Sequence, residues 1–449
     1  MCAIAGNQMK HRAEHMLKKM AHRAPNGSKV VADGRFSMGM GRLAVLDLTS
    51  ENLCPHVDGK LVLSFNGEIY NYLELRTKLQ KLGHTFTTTS DTEVVMKAYK
   101  QWGKDMLERF NGMFALAIYD GKRVFLARDI AGEKPLYYRT HPFEFASEAK
   151  ALKWRCQELP PAHYLIYDFD RKEVLECNRW WSLSLHYIDP ATAEQELETL
   201  LEDAIRLRTR ADVPIALYYS GGIDSSLIRS FHTFNYELTY TDGDYQEEFL
   251  KLFPKLLWHL DYPVHSFSAF GLYKLAEQVS RTPARVVLSG EGADELFGGY
   301  VRYIPHTIDQ EARRHFPSYP TYFPRARDLN SILWEDFTGN LRELLRMGDR
   351  MASAWGIENR CPFLDKRIIE FAFSLPQEMK IQGFDTKRIL RRILERRVPS
   401  YRHIEKVGLY CAVNKWLDVS NPFSKEKYVA LQETYLSEYM DGALFEDIP

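Results

Sequence analysis

Residues 214–227 read PIALYYSGGIDSSL. An apolar run rich in β-formers, VPIALYY, ends at Ser220-Gly221-Gly222, and a helix is predicted to open around Asp224-Ser225-Ser226. Two glycines let the backbone approach a ligand closely, and the first turn of a helix presents N–H groups with no partner in the helix. Such a turn is an anion nest suited to pyrophosphate. Asp224 would repel phosphate by itself, and makes sense where Mg2+ bridges carboxylate and phosphate oxygens. A plain strand–turn–helix connection is the alternative reading. The loop is neither G-x-x-x-x-G-K-[ST] nor G-x-G-x-x-G, which disfavours kinase, GTPase and dinucleotide-binding readings.

The same grammar recurs at residues 287–300, VLSGEGADELFGGY: an apolar strand, a Ser289-Gly290 turn, then an acidic first helical turn. Glu291, Asp294 and Glu295 fall about one helical turn apart, so their side chains are expected to converge near one point. Acids there can also serve only the helix dipole. Two strand–loop–helix units predict a parallel sheet with helices on its faces and both loops at its C-terminal edge. Beyond residue 325 the pattern is mostly helical, as in SILWEDFTGNLRELLRMGDRMASAW, DKRIIEFAFSL and TKRILRRILERR.

Upstream of HYIDPATA (186–193) the grammar differs. RFSMGMGRLAVLDL, KLVLSFNGEIYN, MFALAIYDG, RVFLARDI, PLYYRT and HYLIYDF read as antiparallel strands. NYLELRTKLQKLG and SDTEVVMKAYKQWG read as helices stopped by Gly83 and Gly103. The amphipathic helix AEQELETLLEDAIRLRTR follows the break. The chain thus divides into an α+β half, 1–187, with antiparallel sheets and helices, and an α/β half, 188–449, with a parallel sheet and a helical C-terminal part.

At 449 residues the chain is long enough for two or three domains. Its 59 basic and 60 acidic residues nearly cancel, which argues for neither nucleic acid nor an anionic membrane. No apolar run reaches membrane-spanning length, and the polar stretch after MCAIAG is unlike a signal peptide. The six cysteines are scattered, without C-x-x-C or a His cluster, so neither disulfides nor a structural zinc is expected. The expected location is cytoplasmic.

Cys2 poses a separate question. If Met1 is trimmed, Cys2 carries both a thiol and a free α-amine, a nucleophile with a base built in. Otherwise it is a small buried hydrophobe opening a strand.

SGGIDSS resembles the PP-loop of ATP pyrophosphatases, which split ATP into AMP and pyrophosphate to adenylate a substrate. Over nearly its whole length the chain resembles glutamine-dependent asparagine synthetases. SFNGEIYNYLELR, SDTEVVMKAY, RFNGMFALAIYD, KPLYY and FASEAKAL resemble the glutaminase half, which has an Ntn-type fold. SGGIDSS, LSGEGADELFGGY, RMASAWGIENRCPFLD and KRILRR resemble the synthetase half. The resemblance makes Cys2 the nucleophile on the glutamine amide. Asn66 and Gly67 would be its oxyanion donors, Arg42 would hold the glutamine carboxylate, Asp91 with Glu68 its ammonium, and Leu46 would also belong to the glutamine site. Asn66-Gly67 is also an ordinary turn pair, and Asp91 an ordinary helix cap.

In the synthetase half the resemblance assigns ATP to Tyr218, Ser220, Gly221, Gly222, Asp224, Ser225, Ser226, Ser289 and Gly290, with Mg2+ on Asp224 and Asp294. Glu291 would act on the acyl-adenylate or the attacking ammonia. Lys406 in EKVGLY would neutralise transition-state charge. Lys406 and Lys387 can equally be solvated lysines. Glutamine, ATP and an acceptor carboxylate, by default aspartate, are the implied small-molecule partners, and a homodimer is implied. β-Lactam synthetases lack the cysteine and place tyrosine at the position of Glu291, and other class II amidotransferases have no SGGIDSS.

The chain departs from the family at HRAPNG (22–27), where H-R-G-P-D is usual, and at DIAGEKPLYY, where D-P-F-G-x-K-P-L-Y-Y is usual. Only about sixty residues separate the two ATP loops, with YELTYTDGDYQEEFLKLF where a strand and an adenine-contacting turn are expected. A shortened wall there would admit a larger carboxylate, for instance from a sugar or specialised-metabolite pathway. A scaffold that binds without turnover is the third reading.

Overall fold

Alternation along one strand shows how the first half is built. In Gly112–Tyr119, Ala115, Ala117 and Tyr119 pack into one core, while Phe114, Leu116 and Ile118 pack into another on the opposite face. The neighbouring strands Arg123–Arg128 and His163–Asp168 alternate in the same way, with Val124, Leu126, Leu165 and Tyr167 on the first face and Phe125, Ala127 and Tyr164 on the second. A strand buried on both faces needs a layer on each side. The computed structural model supplies them, and it describes residues 1–49, 54–152, 156–241, 243–306, 328–402, 428–430 and 432–433.

One face meets a second six-stranded antiparallel sheet, in the order Gln157–Glu158, Tyr137–Thr140, Phe143–Ala146, Ala3–Asn7, Ser37–Gly41, Ser28–Ala32. The other meets helices Tyr72–Lys81 and Asp91–Trp102. Helix Lys10–Lys19 covers the outer face of the second sheet through Met16 and Leu17. The result is a helix–sheet–sheet–helix sandwich. Ser90 caps Asp91–Trp102 by accepting from the Thr92 N–H, and Gly103 ends it where the sequence signals a stop.

Two departures from the sequence reading have local causes. The strand in RFSMGMGRLAVLDL stops at Gly41, because the Arg42 guanidinium folds the chain back onto the carbonyls of Leu46 and Asp47. Helix Lys10–Lys19 lies in a stretch too polar to announce itself.

From Ala193–Arg208 onward the architecture changes. Four short parallel strands run in the order Tyr236–Leu238, Ile215–Tyr218, Val286–Leu288, Glu358–Arg360. The segment between the two ATP-type loops holds the first of these strands, where one is expected, and then two helices, Gln246–Leu260 and Ala269–Ser280. Their apolar faces pack with Met347 and Met351 of helix Asn340–Ser353. Helix Leu329–Thr338 precedes that one and breaks at Gly339. Among the described residues no helix is long and apolar enough to cross a membrane.

Candidate functional site

The first pocket forms where strand Ala3–Asn7, the turn after Ser37–Gly41 and strand Leu61–Ile69 meet. The Cys2 thiol points to the Leu43 carbonyl at 3.9 Å, and burial pushes its pKa up. One turn holds both Cys2 and Arg42: Leu43 takes the thiol, and the Leu46 carbonyl accepts from the Arg42 guanidinium at 3.0 Å. That turn is pinned outward by Asp47, whose carboxylate accepts from Thr89 N–H at 2.8 Å and whose own N–H donates to Asp212 at 2.7 Å.

Gly67 lies in mid-strand with φ +145°, and a Cβ there would sit 2.0 Å from the Met113 carbonyl oxygen. Only glycine fits. Asn66 beside it is fully buried, and neither its amide oxygen nor its amide nitrogen has a protein partner. A buried amide without a partner costs about 1–3 kcal/mol, so its free N–H marks a place for a bound acceptor.

Glu68 and Asp91 are both buried, and the Asp91 carboxylate disfavours charge on Glu68. Burial, then the Asp91 carboxylate, lifts Glu68 well above the usual range, and burial raises Asp91 to about 6. Asp91 accepts from the Ile69 N–H at 2.9 Å, while Ser90, not Asp91, provides the side-chain cap. An ammonium is the group that such a pair lacks. Arg360, from the parallel sheet, reaches only to 3.6 Å from Glu68 and is engaged by Glu358 at 2.8 Å.

The second pocket is built by the two loops at the C-terminal edge of the parallel sheet. Gly221 takes φ +75°, and helix Ile223–Phe231 begins behind Gly222. Ser225 Oγ receives the Ser220 N–H at 3.2 Å, and Ser226 Oγ donates to the Gly221 carbonyl, so the turn is held closed by its own hydroxyls. The loops touch: a Cβ on Gly290 would come within 2.7 Å of the Asp224 Cβ. Ser289 is buried, with its N–H on the Arg360 carbonyl. The Tyr218 hydroxyl is buried without a protein partner.

Lys387 joins the loops. Its ammonium lies 2.6 and 2.7 Å from the Asp224 carboxylate oxygens and 2.6 Å from Asp294, although it is 163 residues from Asp224 in sequence. The two carboxylates hold the lysine's pKa above its usual value against the effect of burial. No spacing in TKRILRR announces that contact.

Glu291, Asp294 and Glu295 lie close enough for Glu295 to feel Asp294 and Glu291 to feel Glu295, but they turn to different partners. Gly292, at φ +89°, starts the short helix Ala293–Phe297 only after Glu291, so helical spacing does not relate the three. Asp294 turns to Lys387 and Glu295 to the Tyr300 hydroxyl. Glu291 turns to the strand Glu358–Arg360, accepting from Asn359 Nδ2 at 3.1 Å with the Cys361 thiol 3.6 Å away. Burial raises Glu291 to about 7. Gly348 on helix Asn340–Ser353 lies against it; a Cβ there would be 2.9 Å from Glu291 Oε1. Lys406 lies outside the described residues.

The pockets share a buried seam. Arg23 Nε donates to the Cys2 carbonyl at 3.1 Å, and the same guanidinium grips both oxygens of Asp349, next to Gly348. Met1 packs among Ala216, Val287 and Ile357 of the second half. Asn359, Cys361, Lys387 and Arg23 all belong to this constellation; each lay inside a recognisable stretch, with nothing in the sequence marking its contact.

Residues 1–179 match the model of a glutamine amidotransferase domain, and residues 196–234 and 229–446 that of asparagine synthase. Similar curated proteins include asparagine synthetase [glutamine-hydrolyzing] 1 of Bacillus subtilis, 27% identical over 98% of this chain and 91% of that one. A probable glutamine-hydrolyzing asparagine synthetase of Schizosaccharomyces pombe is 31% identical over 86% of this chain and 77% of its own. A putative one of Methanocaldococcus jannaschii is 30% identical over 86% of this chain and 83% of its own. A match that spans both halves, on a fold with a two-sheet sandwich before a parallel sheet, places this chain in the asparagine synthase family of ligases, with a glutamine amidotransferase domain ahead of the synthase domain.

Proposed function

We propose that the protein hydrolyses glutamine in its first half, 1–187, and in its second, 188–449, uses the ammonia to amidate a carboxylate activated by ATP, giving AMP and pyrophosphate. The observation that carries this reading is the seam: the pocket of Cys2 and the pocket of Glu291 are joined by buried residues of one chain, through Arg23 on the Cys2 carbonyl and Asp349 beside Gly348.

Once Met1 is removed, the Cys2 amine can take the thiol proton, which a buried thiol does not give up readily. Asn66 Nδ2 and the Gly67 N–H stabilise the oxyanion, Arg42, positioned by the Leu46 carbonyl, fixes the carboxylate end of glutamine, and Glu68 with Asp91 takes the ammonium. ATP lies against Tyr218, Ser220 to Ser226 and Ser289-Gly290. Two carboxylates suit Mg2+, which usually takes one or two together with substrate phosphates. Asp224 and Asp294 already converge on one cation, the Lys387 ammonium. They would hold Mg2+, and the ion would neutralise the pyrophosphate. Glu291, with a pKa near 7, is suited to take a proton from attacking ammonia. Lys406 would serve the transition-state charge.

Aspartate is the acceptor this reading favours. The segment between the loops is short, yet its two helices fill the space against Met347 and Met351, next to Gly348 and Glu291. A packed wall supports a small acceptor over a bulky one. ATP–pyrophosphate exchange with L-aspartate tests this. Strong exchange, lost in Glu291→Ala, supports it; no exchange at saturating aspartate sinks it in favour of a larger carboxylate.

A further inference from the structure

The family's D-P-F-G-x-K-P-L-Y-Y stretch reads DIAGEKPLYY here, and its variable position holds Glu133. Glu133 is only 6% exposed, and its Oε2 is buried without any hydrogen-bond partner. Leaving a carboxylate oxygen so costs more than leaving a neutral group. The backbone does not compensate it. The N–H groups of Gly132, Glu133 and Lys134 all go to the neighbouring Asp129 carboxylate, at 2.7, 2.9 and 2.9 Å.

Glu133 lines a narrow cavity of about 10 Å³ at the junction of the halves, with Asn111, Asp129 and Ala131 from one side and Leu364 and Lys366 from the other. That is about the space one water-sized molecule needs. The far wall belongs to the synthetase site, since Leu364 packs on Gly292, next to Glu291. Glu133 and Glu291 both bear on the thiol of Cys361, and each disfavours its ionisation. Lys366 lines the same cavity, and Asp129, Arg208, Lys134 and Glu291 also bear on Glu133. Of these Asp129 is spent on backbone N–H groups, Arg208 on Asp365, and Lys134 lies against Met1 and Asp349.

We propose that Glu133 binds ammonia, held as ammonium on its carboxylate, in this cavity at the edge of the Glu291 pocket. This rests on the amidation reading above. Ammonia is water-sized and donates several hydrogen bonds to an oxygen that has none. Proton exchange between carboxyl and ammonia balances without a co-reactant: the acid's proton goes to nitrogen on binding and returns to the carboxylate as ammonia leaves toward the acceptor. Burial raises Glu133 to about 8, which matches its proton affinity to that of ammonium closely enough for both directions.

The test uses the full-length enzyme with L-aspartate and ATP, driven in one arm by ammonium chloride and in the other by glutamine. Glu133→Leu and the size-matched Glu133→Gln are compared with the parent. The expected result is a roughly tenfold rise in KM for ammonium in Glu133→Leu and a smaller rise in Glu133→Gln, with KM for ATP moving less than twofold. In the glutamine arm, amide formed per glutamate released should fall if internal ammonia also uses the site. An effect confined to the ammonium arm assigns the cavity to ammonia from solvent; one confined to the glutamine arm assigns it to ammonia from Cys2. If neither arm changes in either variant, the proposal is overturned. Absence of amide synthesis by the parent enzyme in both arms would instead overturn the amidation reading itself.

Discussion

The two pockets solve opposite electrostatic problems. Around Cys2 the buried polar groups are left wanting: the Asn66 amide has no partner, and Glu68 and Asp91 are acids with too little positive charge nearby. Around the ATP-type loops two of the acids already have a counter-charge, since Lys387 pairs with both Asp224 and Asp294. A pocket with unmet donors and acids is preorganised for a zwitterion and gains from binding it. A pocket with matched charges must exchange an internal counter-ion for a ligand, so its occupancy depends on what the ligand brings. Substitutions should therefore act differently at the two ends.

The largest effect is expected at Cys2. Cys2→Ala should lower glutamine hydrolysis by about a thousandfold or more, because no neighbouring side chain replaces the nucleophile. ATP–pyrophosphate exchange and ammonia-driven synthesis should persist. A variant that hydrolyses glutamine at the parental rate breaks the assignment, and N-terminal mass should show Met1 absent from active protein. Asp224→Asn should have the reciprocal signature. Synthesis should fall at least a hundredfold with glutaminase spared, and the products of the parent should be AMP and pyrophosphate. Stoichiometric ADP and phosphate would remove the PP-loop reading.

Lys387→Met sharpens the contrast through stability. Removing the cation that bridges two largely buried carboxylates should cost about 3 kcal/mol, near the lower end for a broken buried pair. Thermal unfolding should show the loss, and Mg2+ should recover more stability in the variant than in the parent. An unchanged Tm with no Mg2+ response would show that the lysine is not the internal counter-ion.

An effect of similar size is the pH dependence at Asp91. Its folded pKa, about 6, lies above the ordinary 3.8. The stability it contributes is therefore complete below about pH 4 and is lost as pH rises through 6. The loss amounts to about 3 kcal/mol at 1.4 kcal/mol per unit. Urea midpoints of the ligand-free protein should fall over that window, and Asp91→Asn should flatten the slope. Glutamine should stabilise more above pH 6 than below 4, since its ammonium favours the charged carboxylate. Equal stabilisation at both would detach Asp91 from the ammonium.

Much of this was legible in the sequence because its causes are local. The strand-forming run at Gly112–Tyr119, the Gly103 stop and the glycines at 221 and 222 reflect preferences set within a few residues. Where local evidence misleads, the reading failed. Helical spacing promised one meeting point for three carboxylates, but Gly292 starts its helix too late to include Glu291.

The sequence by itself determined two grammars, two glycine-bearing loops and a cysteine at position 2. Hydrogen bonding and side-chain periodicity act over the few residues that a chain carries with it into any fold. Only the tertiary structure decided which acid meets which cation, that Arg23 ties the Cys2 carbonyl to Asp349, that Gly348 leaves room for Glu291, and that Glu133 keeps an unpaired oxygen. Charge pairing and desolvation depend on distance and burial. Neither exists until segments as far apart as Asp224 and Lys387 have been packed together.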